Sequence, residues 1–157
     1  MKDAQTKEEY SMIYTALTKK ALRLCFDSHK DQVDKTGMPY VFHPFHLAEQ
    51  MDDEISTVCA LLHDVVEDTD TTLEDLASMG FPTEVIDALT LLTHAPEVPY
   101  MDYVERISTN PIATKVKIAD LTHNSDLTRM DATEIDEYAL KRNEKYKLAL
   151  ALLHSKQ

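Results

Sequence analysis

Residues 54–68 read EISTVCALLHDVVED, a run in which apolar side chains lie on nearly every side of a predicted helix. Such a helix has almost no polar face for water, so it is predicted to lie at the centre of a helical bundle. His63 and Asp64 interrupt the apolar run. An ionised carboxylate in that setting is costly unless it is paired or bound to a metal ion. The pair is therefore either a hydrogen-bonded part of the core or part of a metal site.

Two more acids follow one helical turn later. Glu67 and Asp68 stand four residues after His63 and Asp64, which places them on the same side of a helix. Carboxylates this close together need a cation or a raised pKa. The alternative is a helix end whose acids are simply solvated.

Helical periodicity continues on both sides of this segment. Thr71 and Glu74 have the spacing of a capping box, and Gly80 is placed to end the helix that follows. There is no alternating strand pattern, no repeat and no linker. The sequence thus predicts a single all-α domain over residues 1–157, with about seven to eight helices. The predicted helices are Tyr10–His29, a short one after Pro44, Glu54–Glu67, Thr72–Gly80, Pro82–Leu92, Tyr100–Ser108, Pro111–Leu127 and Ala132–His154.

Charge and composition narrow the possible partners. The chain has 16 Lys and Arg against 28 Asp and Glu, a formal net charge of −12. This acidity argues against a binder of long nucleic acid or of an anionic membrane surface. No run approaches the roughly 18 apolar residues of a membrane span, and the polar segment Met1–Glu9 has no apolar core of a secretory signal. With Cys25 and Cys59 in apolar runs as buried thiols, we expect a cytoplasmic protein with no membrane partner.

Two other segments carry polar side chains in apolar surroundings. His43 ends the aromatic-rich sequence YVFH of residues 40–43, and Asp120 lies on an apolar helix with Lys117 and Asn124 on its side. Taken singly, His43 could be a core residue and Asp120 part of a solvent-facing stripe. Taken together, two imidazoles and two carboxylates suit a divalent transition-metal ion such as Mn²⁺, Fe²⁺ or Zn²⁺. The candidate ligands are His43, His63, Asp64 and Asp120.

Three blocks of the sequence resemble a known family in the correct order. Residues 28–44, SHKDQVDKTGMPYVFHP, look like the opening of the hydrolase domain of RelA/SpoT-type proteins. Residues 60–69, ALLHDVVEDT, are similar to its central block, and KIAD at 117–120 followed by His123-Asn124 resembles its third. The chain therefore resembles a small, stand-alone HD-domain metal-dependent phosphohydrolase.

The resemblance implies a single divalent ion, usually Mn²⁺, and hydrolysis of guanosine 3′,5′-bis(diphosphate) or the pentaphosphate. A metal-activated water would release pyrophosphate from the 3′ position. The partner would be a small nucleotide, and the acidity of the chain does not oppose this because the ion is the dominant local charge. The resemblance assigns the four candidate ligands to the ion, Glu67 and Asp68 to catalysis, and Lys35 and Asn124 to the substrate.

Two positions depart from the family pattern. Asp34 and Leu121 stand where the family typically has Arg, which removes positive charge from the region expected to hold the nucleotide. One alternative is therefore a phosphohydrolase of another nucleotide, either a nucleoside monophosphate or a dinucleotide phosphate. A non-catalytic metal or nucleotide sensor is a further alternative. Tyr146 could line the pocket from the last helix, although core packing is the expectation, and no role is predicted for His46, His94, His123 and His154.

Overall fold

The computed structural model describes residues 11–157. The polar segment Met1–Glu9 and the predicted helix start at Tyr10 lie outside the described residues. Within them, the only paired extended backbone is an isolated bridge between Val33 and Pro39, so the prediction of an all-α fold is confirmed. The helices are α1 (Ala16–His29), α2 (Phe42–Glu49), α3 (Glu54–Leu62), α4 (Val65–Asp68), α5 (Leu73–Ser78), α6 (Thr83–Leu92), α7 (Tyr100–Ile107), α8 (Pro111–Asn124), a 3-10 helix (Leu127–Arg129) and α9 (Glu137–Ser155).

Helix α3 lies at the centre of the bundle, as its apolar sequence predicts. It packs against α1, α2, α6 and α8, and every residue from Ser56 to Leu62 is buried. Asp53 caps its start, because its side chain accepts a hydrogen bond of 2.7 Å from the main-chain N–H of Ser56. Cys25 on α1 and Cys59 on α3 are buried free thiols. No helix of residues 11–157 combines the length and apolarity needed to span a bilayer.

The helix predicted over residues 54–67 is two helices in the structure. α3 ends at Leu62 and α4 begins at Val65, with Asp64 at φ −108° and ψ 0° between them. These angles are far from those of a regular helix. His63 Nδ1 lies 2.7 Å from the main-chain oxygen of Ala60, so the side chain completes the last turn of α3. After this break, His63 contacts His43 on α2 and Asp120 on α8, while Asp64 accepts a hydrogen bond from Tyr40.

Local hydrogen bonds at the starts of α5 and α9 differ from those that the sequence predicts. The capping box before α5 is formed by Thr72 and Asp75, not by Thr71 and Glu74, because each of the former bonds the main-chain N–H of the other. The last helix begins only after its cap, Asp136, whose side chain accepts from the N–H of Ala139. In both cases the residue that bonds the exposed N–H groups decides where the helix begins.

Candidate functional site

A buried group of three side chains lies where α2, α3 and α8 meet. His43 comes from α2, His63 from the end of α3 and Asp120 from α8, and one ligand atom of each lies within 4.8 Å of the others. His43 Nε2 is 2.9 Å from Asp120 Oδ1, and His63 Nε2 is 3.5 Å from the same oxygen. The fold thus brings three of the four predicted ligands together, and the group could hold a metal ion.

The hydrogen bonding of His63 fits a bound cation. Because Nδ1 of the neutral ring donates to Ala60, Nε2 carries a lone pair, and it is buried without a hydrogen-bond partner among the described residues. That lone pair lies 3.0 Å from Asp64 Oδ2, an arrangement that needs either a proton or a metal ion between the two atoms. Burial opposes the proton, but Asp64 and Asp120 outweigh it and raise the pKa of His63 well above its usual value. The site therefore attracts positive charge.

Asp64, the fourth predicted ligand, lies beside this group. Burial tends to raise the pKa of its carboxyl, but the interaction with His63 is stronger and holds that pKa near 2. The hydroxyl of Tyr40 donates a hydrogen bond to Asp64 Oδ2. Sequence reasoning did not identify Tyr40 as a site residue, although its place in the aromatic run before His43 was a signal.

Asp120 is held by its own helix. Lys117 Nζ is 2.9 Å from Asp120 Oδ2, and Asn124 Nδ2 donates a hydrogen bond of 3.0 Å to Oδ1. Both neighbours lie where the helical spacing predicts. Burial opposes ionisation of Asp120, but the nearby Lys117, His43 and His63 keep its pKa well below the usual value. The carboxylate stays charged at the centre of the fold.

Glu67 and Asp68 are held at the edge of the cleft by α4. Glu67 accepts a hydrogen bond from the main-chain N–H of His94. The loop before α7 therefore helps to hold the Glu67 side chain in place. Burial, with a smaller contribution from Asp64, raises the pKa of Glu67. Burial and the charges of Asp64 and Glu67 raise the pKa of Asp68 to about 6. Both carboxylates are therefore stronger proton acceptors than ordinary exposed ones.

An open cleft of about 780 Å³ lies above the buried group. Asp64, Glu67 and Asp68 border one part of it, while Lys35 and Arg142 border another. Burial, Arg142 and Lys145 all lower the pKa of Lys35, so cations face one another there. A cluster of like charges next to a cleft favours an anionic ligand. The full lining is Gln32, Val33, Asp34, Lys35, Thr36, Tyr40, Asp64, Glu67, Asp68, Asn124, Asp126, Arg129, Met130, Arg142 and Tyr146.

Asp34 is not a free repelling carboxylate. Its Oδ1 accepts hydrogen bonds from the N–H of Thr36 at 2.8 Å, from the hydroxyl of Thr36 at 2.7 Å and from the N–H of Met38 at 3.1 Å. Its Oδ2 is 3.5 Å from Nη2 of Arg129, which also lines the cleft. Leu121, expected near the substrate, is fully buried in the core instead. Although Asp34 and Leu121 replace the Arg residues typical of the family, Lys35, Arg129 and Arg142 still supply cations to the cleft.

Two further residues lie at the site. Tyr146 was expected in the core, but it lines the cleft while also packing on the core. His123 lies against His43, with their Nδ1 atoms 2.7 Å apart. Sequence spacing offered a signal for His123, since it follows Asp120 by three residues on the same helix. His46 touches the ring of His123, and His154 is exposed.

Together, the fold and the site define a class of all-helical proteins that carry a buried His–His–Asp group beneath a polar cleft. No protein-family model matches the chain. A solved structure described as "A metazoan ortholog of SpoT hydrolyzes ppGpp and plays a role in starvation responses" has the same fold. It superposes with a TM-score of 0.72 at 23% identity, covering 91% of this chain and 88% of that one.

Curated relatives are more similar in sequence. The chain is 33% identical to "Guanosine-3′,5′-bis(diphosphate) 3′-pyrophosphohydrolase MESH1" of Danio rerio, over 79% of each protein. It is 30% identical to "Probable GTP pyrophosphokinase" of Mycobacterium leprae over 94% of its own length, but it spans only 20% of that longer protein. The chain belongs to the family of MESH1-type and SpoT-type guanosine-3′,5′-bis(diphosphate) 3′-pyrophosphohydrolases, and the resemblance to the RelA/SpoT hydrolase domain is confirmed.

Proposed function

We propose that the protein is a metal-dependent guanosine 3′,5′-bis(diphosphate) 3′-pyrophosphohydrolase. One observation carries this proposal. In a member of this family, a buried His–His–Asp group lies next to a cleft that is lined by both acidic and cationic side chains. Acids beside a metal group suit proton transfer, and the cations suit a substrate with two diphosphate groups.

The ion would be held by His43, His63 and Asp120, with Asp64 beside them, and Mn²⁺ is the ion we propose. When bound, it supplies a Lewis acid that lowers the pKa of a water molecule and balances phosphate charge. Hydrolysis breaks the bond between O3′ of the ribose and phosphorus, a water oxygen bonds to that phosphorus, and O3′ receives a proton. Glu67 and Asp68 are proposed to take the proton from water and to deliver one to O3′, because their raised pKa values favour both.

The substrate would extend from these acids to the cationic part of the cleft. Lys35 and Arg142 have like charges in a partly buried place, so a phosphate between them would relieve their repulsion. Asn124 lines the cleft while its amide nitrogen is bonded to Asp120. It would present its oxygen to a ribose hydroxyl. We propose these contacts as the reason for nucleotide binding.

Pyrophosphate release tests the proposal. Purified protein is incubated with Mn²⁺ and guanosine 3′,5′-bis(diphosphate), with His63→Ala as the matched control that removes one proposed ligand. We expect GDP and pyrophosphate in equal amounts from the wild type and neither from the control. No pyrophosphate at micromolar enzyme, or equal release from the control, would contradict the proposal.

Asp34 favours a second candidate, a phosphohydrolase of a less anionic nucleotide. Its carboxylate borders the cleft and pairs with Arg129, which leaves less positive charge for a highly charged substrate. A panel of nucleoside monophosphates and dinucleotide phosphates, assayed for orthophosphate, separates the two candidates because the first reaction releases pyrophosphate.

Further proposals concern the chain as a whole. We propose that residues 1–157 act as one hydrolase domain whose partner is a small nucleotide, with neither long nucleic acid nor membrane as a partner. A cytoplasmic location is supported by two cysteines that are free and buried, as is usual in a reducing compartment. Fractionation of cells that express the protein, followed by detection with an antibody, tests this location.

A further inference from the structure

The rings of His43 and His123 meet edge to edge. Their Nδ1 atoms are 2.7 Å apart, while the ring centroids are 5.0 Å apart and the ring planes differ by 8°. Because the nitrogens are much closer than the centroids and the planes are parallel, the rings lie side by side and not one above the other. This is the geometry of an in-plane hydrogen bond between two imidazoles.

One proton lies between the two Nδ1 atoms in such a bond. Whether His43 or His123 carries this proton decides whether Nε2 of His43 is protonated or has a free lone pair. A neutral imidazole carries its proton on one nitrogen only. If His43 keeps the proton on Nε2, that nitrogen donates to Asp120 Oδ1, 2.9 Å away, and cannot bind an ion. If the proton is on Nδ1, Nε2 has a free lone pair inside the His–His–Asp group. The second state requires an acceptor opposite Nδ1.

We propose that His123 is a positioning residue that accepts the Nδ1–H of His43 and so presents His43 Nε2 to a divalent ion. This inference rests on the metal site of the proposed function. Asp120 and His123 are three residues apart on α8, so one helix contacts both ring nitrogens of His43. Nη1 of Arg129 donates a hydrogen bond of 2.9 Å to the main-chain oxygen of His123 and stabilises this end of the helix.

Binding of Zn²⁺ by the full chain, measured by competition with a chromophoric chelator, tests the proposal without substrate. His123→Leu removes the acceptor, whereas His123→Asn keeps an oxygen near the position of Nδ1. The control is His46→Leu, since His46 packs on the ring of His123, with centroids 4.3 Å apart, but forms no bond to His43. We expect Zn²⁺ affinity to fall about 10–100-fold in His123→Leu and to change by less than about threefold in the other two variants.

An NMR measurement on the wild type covers the case in which His123→Leu does not fold. In ¹⁵N-labelled protein loaded with Zn²⁺, which is diamagnetic, we expect His43 to carry its proton on Nδ1 with a cross-bond coupling to His123. A proton on Nε2 of His43, or an unchanged Zn²⁺ affinity in folded His123→Leu, would overturn the inference. Both measurements are independent of pyrophosphate release, so failure of the proposed reaction and failure of this inference are distinguishable.

Discussion

Lys117 gives the sharpest test of charge balance at the centre of this protein. Its Nζ is 2.9 Å from Asp120 Oδ2, and the two side chains are only 13% and 7% exposed. Replacing Lys117 by Met keeps most of the apolar stem but leaves Asp120 without its nearest cation. Breaking a buried ion pair on one side costs about 3–5 kcal/mol. For a protein of this size, we expect Tm in EDTA to fall by about 6–20 °C.

The same substitution should be milder with a divalent ion present. In the wild type, Mn²⁺ at about 100 times its Kd adds about 2.7 kcal/mol, so a chelator should lower Tm by about 5–11 °C. In Lys117→Met the ion also balances the unpaired Asp120, so it should stabilise the variant by more than it stabilises the wild type. Linkage then requires tighter ion binding by the variant, about tenfold for each 1.4 kcal/mol of extra stabilisation.

Thermal denaturation in EDTA and in excess Mn²⁺ measures both effects, and isothermal titration measures Kd directly. Lys115→Met is the matched control, because Lys115 lies on the same helix and pairs with Asp52 and Asp53 at the surface. Exposed pairs contribute about 0–1 kcal/mol, so its Tm should change little in either buffer. If Lys117→Met lost as much stability in Mn²⁺ as in EDTA, or bound Mn²⁺ more weakly, the ion would not share Asp120 and the reasoning would be wrong.

Three further predictions follow from the cleft. Glu67→Gln should lower kcat for pyrophosphate release by about 10²–10⁴-fold, because it removes a proton acceptor. KM and the affinity for Mn²⁺ should stay nearly unchanged. Ion binding that is tenfold weaker would instead make Glu67 a ligand. Lys35→Met should raise KM more than it lowers kcat, whereas Lys30→Met, on an exposed residue outside the cleft, should change neither; the reverse split would remove Lys35 from substrate binding. Because the pKa of Asp68 is raised from 3.8 to about 6, its contribution to stability is present below pH 3.8 and is lost as pH rises through 6. Asp68→Asn should therefore raise Tm in EDTA at pH 7 but not at pH 4, and an equal shift at both values would contradict this.

Much of the fold could be predicted because it depends on local patterns. The apolar segment around α3 specifies a central helix through its lack of a polar face, and the periodic segments on either side specify helices that must cover it. The break at Asp64 could not be predicted in this way. Apolar residues stand directly on both sides of the break, Leu62 before it and Val65 after it, so the sequence pattern gives no sign of an interruption. The hydrogen bond from His63 to the main-chain oxygen of Ala60 is seen only in the structure.

The candidate site divides along the same line. By itself, the sequence determined the helical class of the fold. It also identified the polar residues that lie in apolar surroundings, because the free-energy cost of burying a charge depends on the types of the nearby residues; these are His43, His63, Asp64 and Asp120. Only the tertiary structure decided which atoms meet. Arg129 contacts Asp34, which lies 95 positions away in the sequence, and His123 contacts His43, which lies 80 positions away. Contacts of this kind depend on how whole helices pack, and no local pattern encodes them.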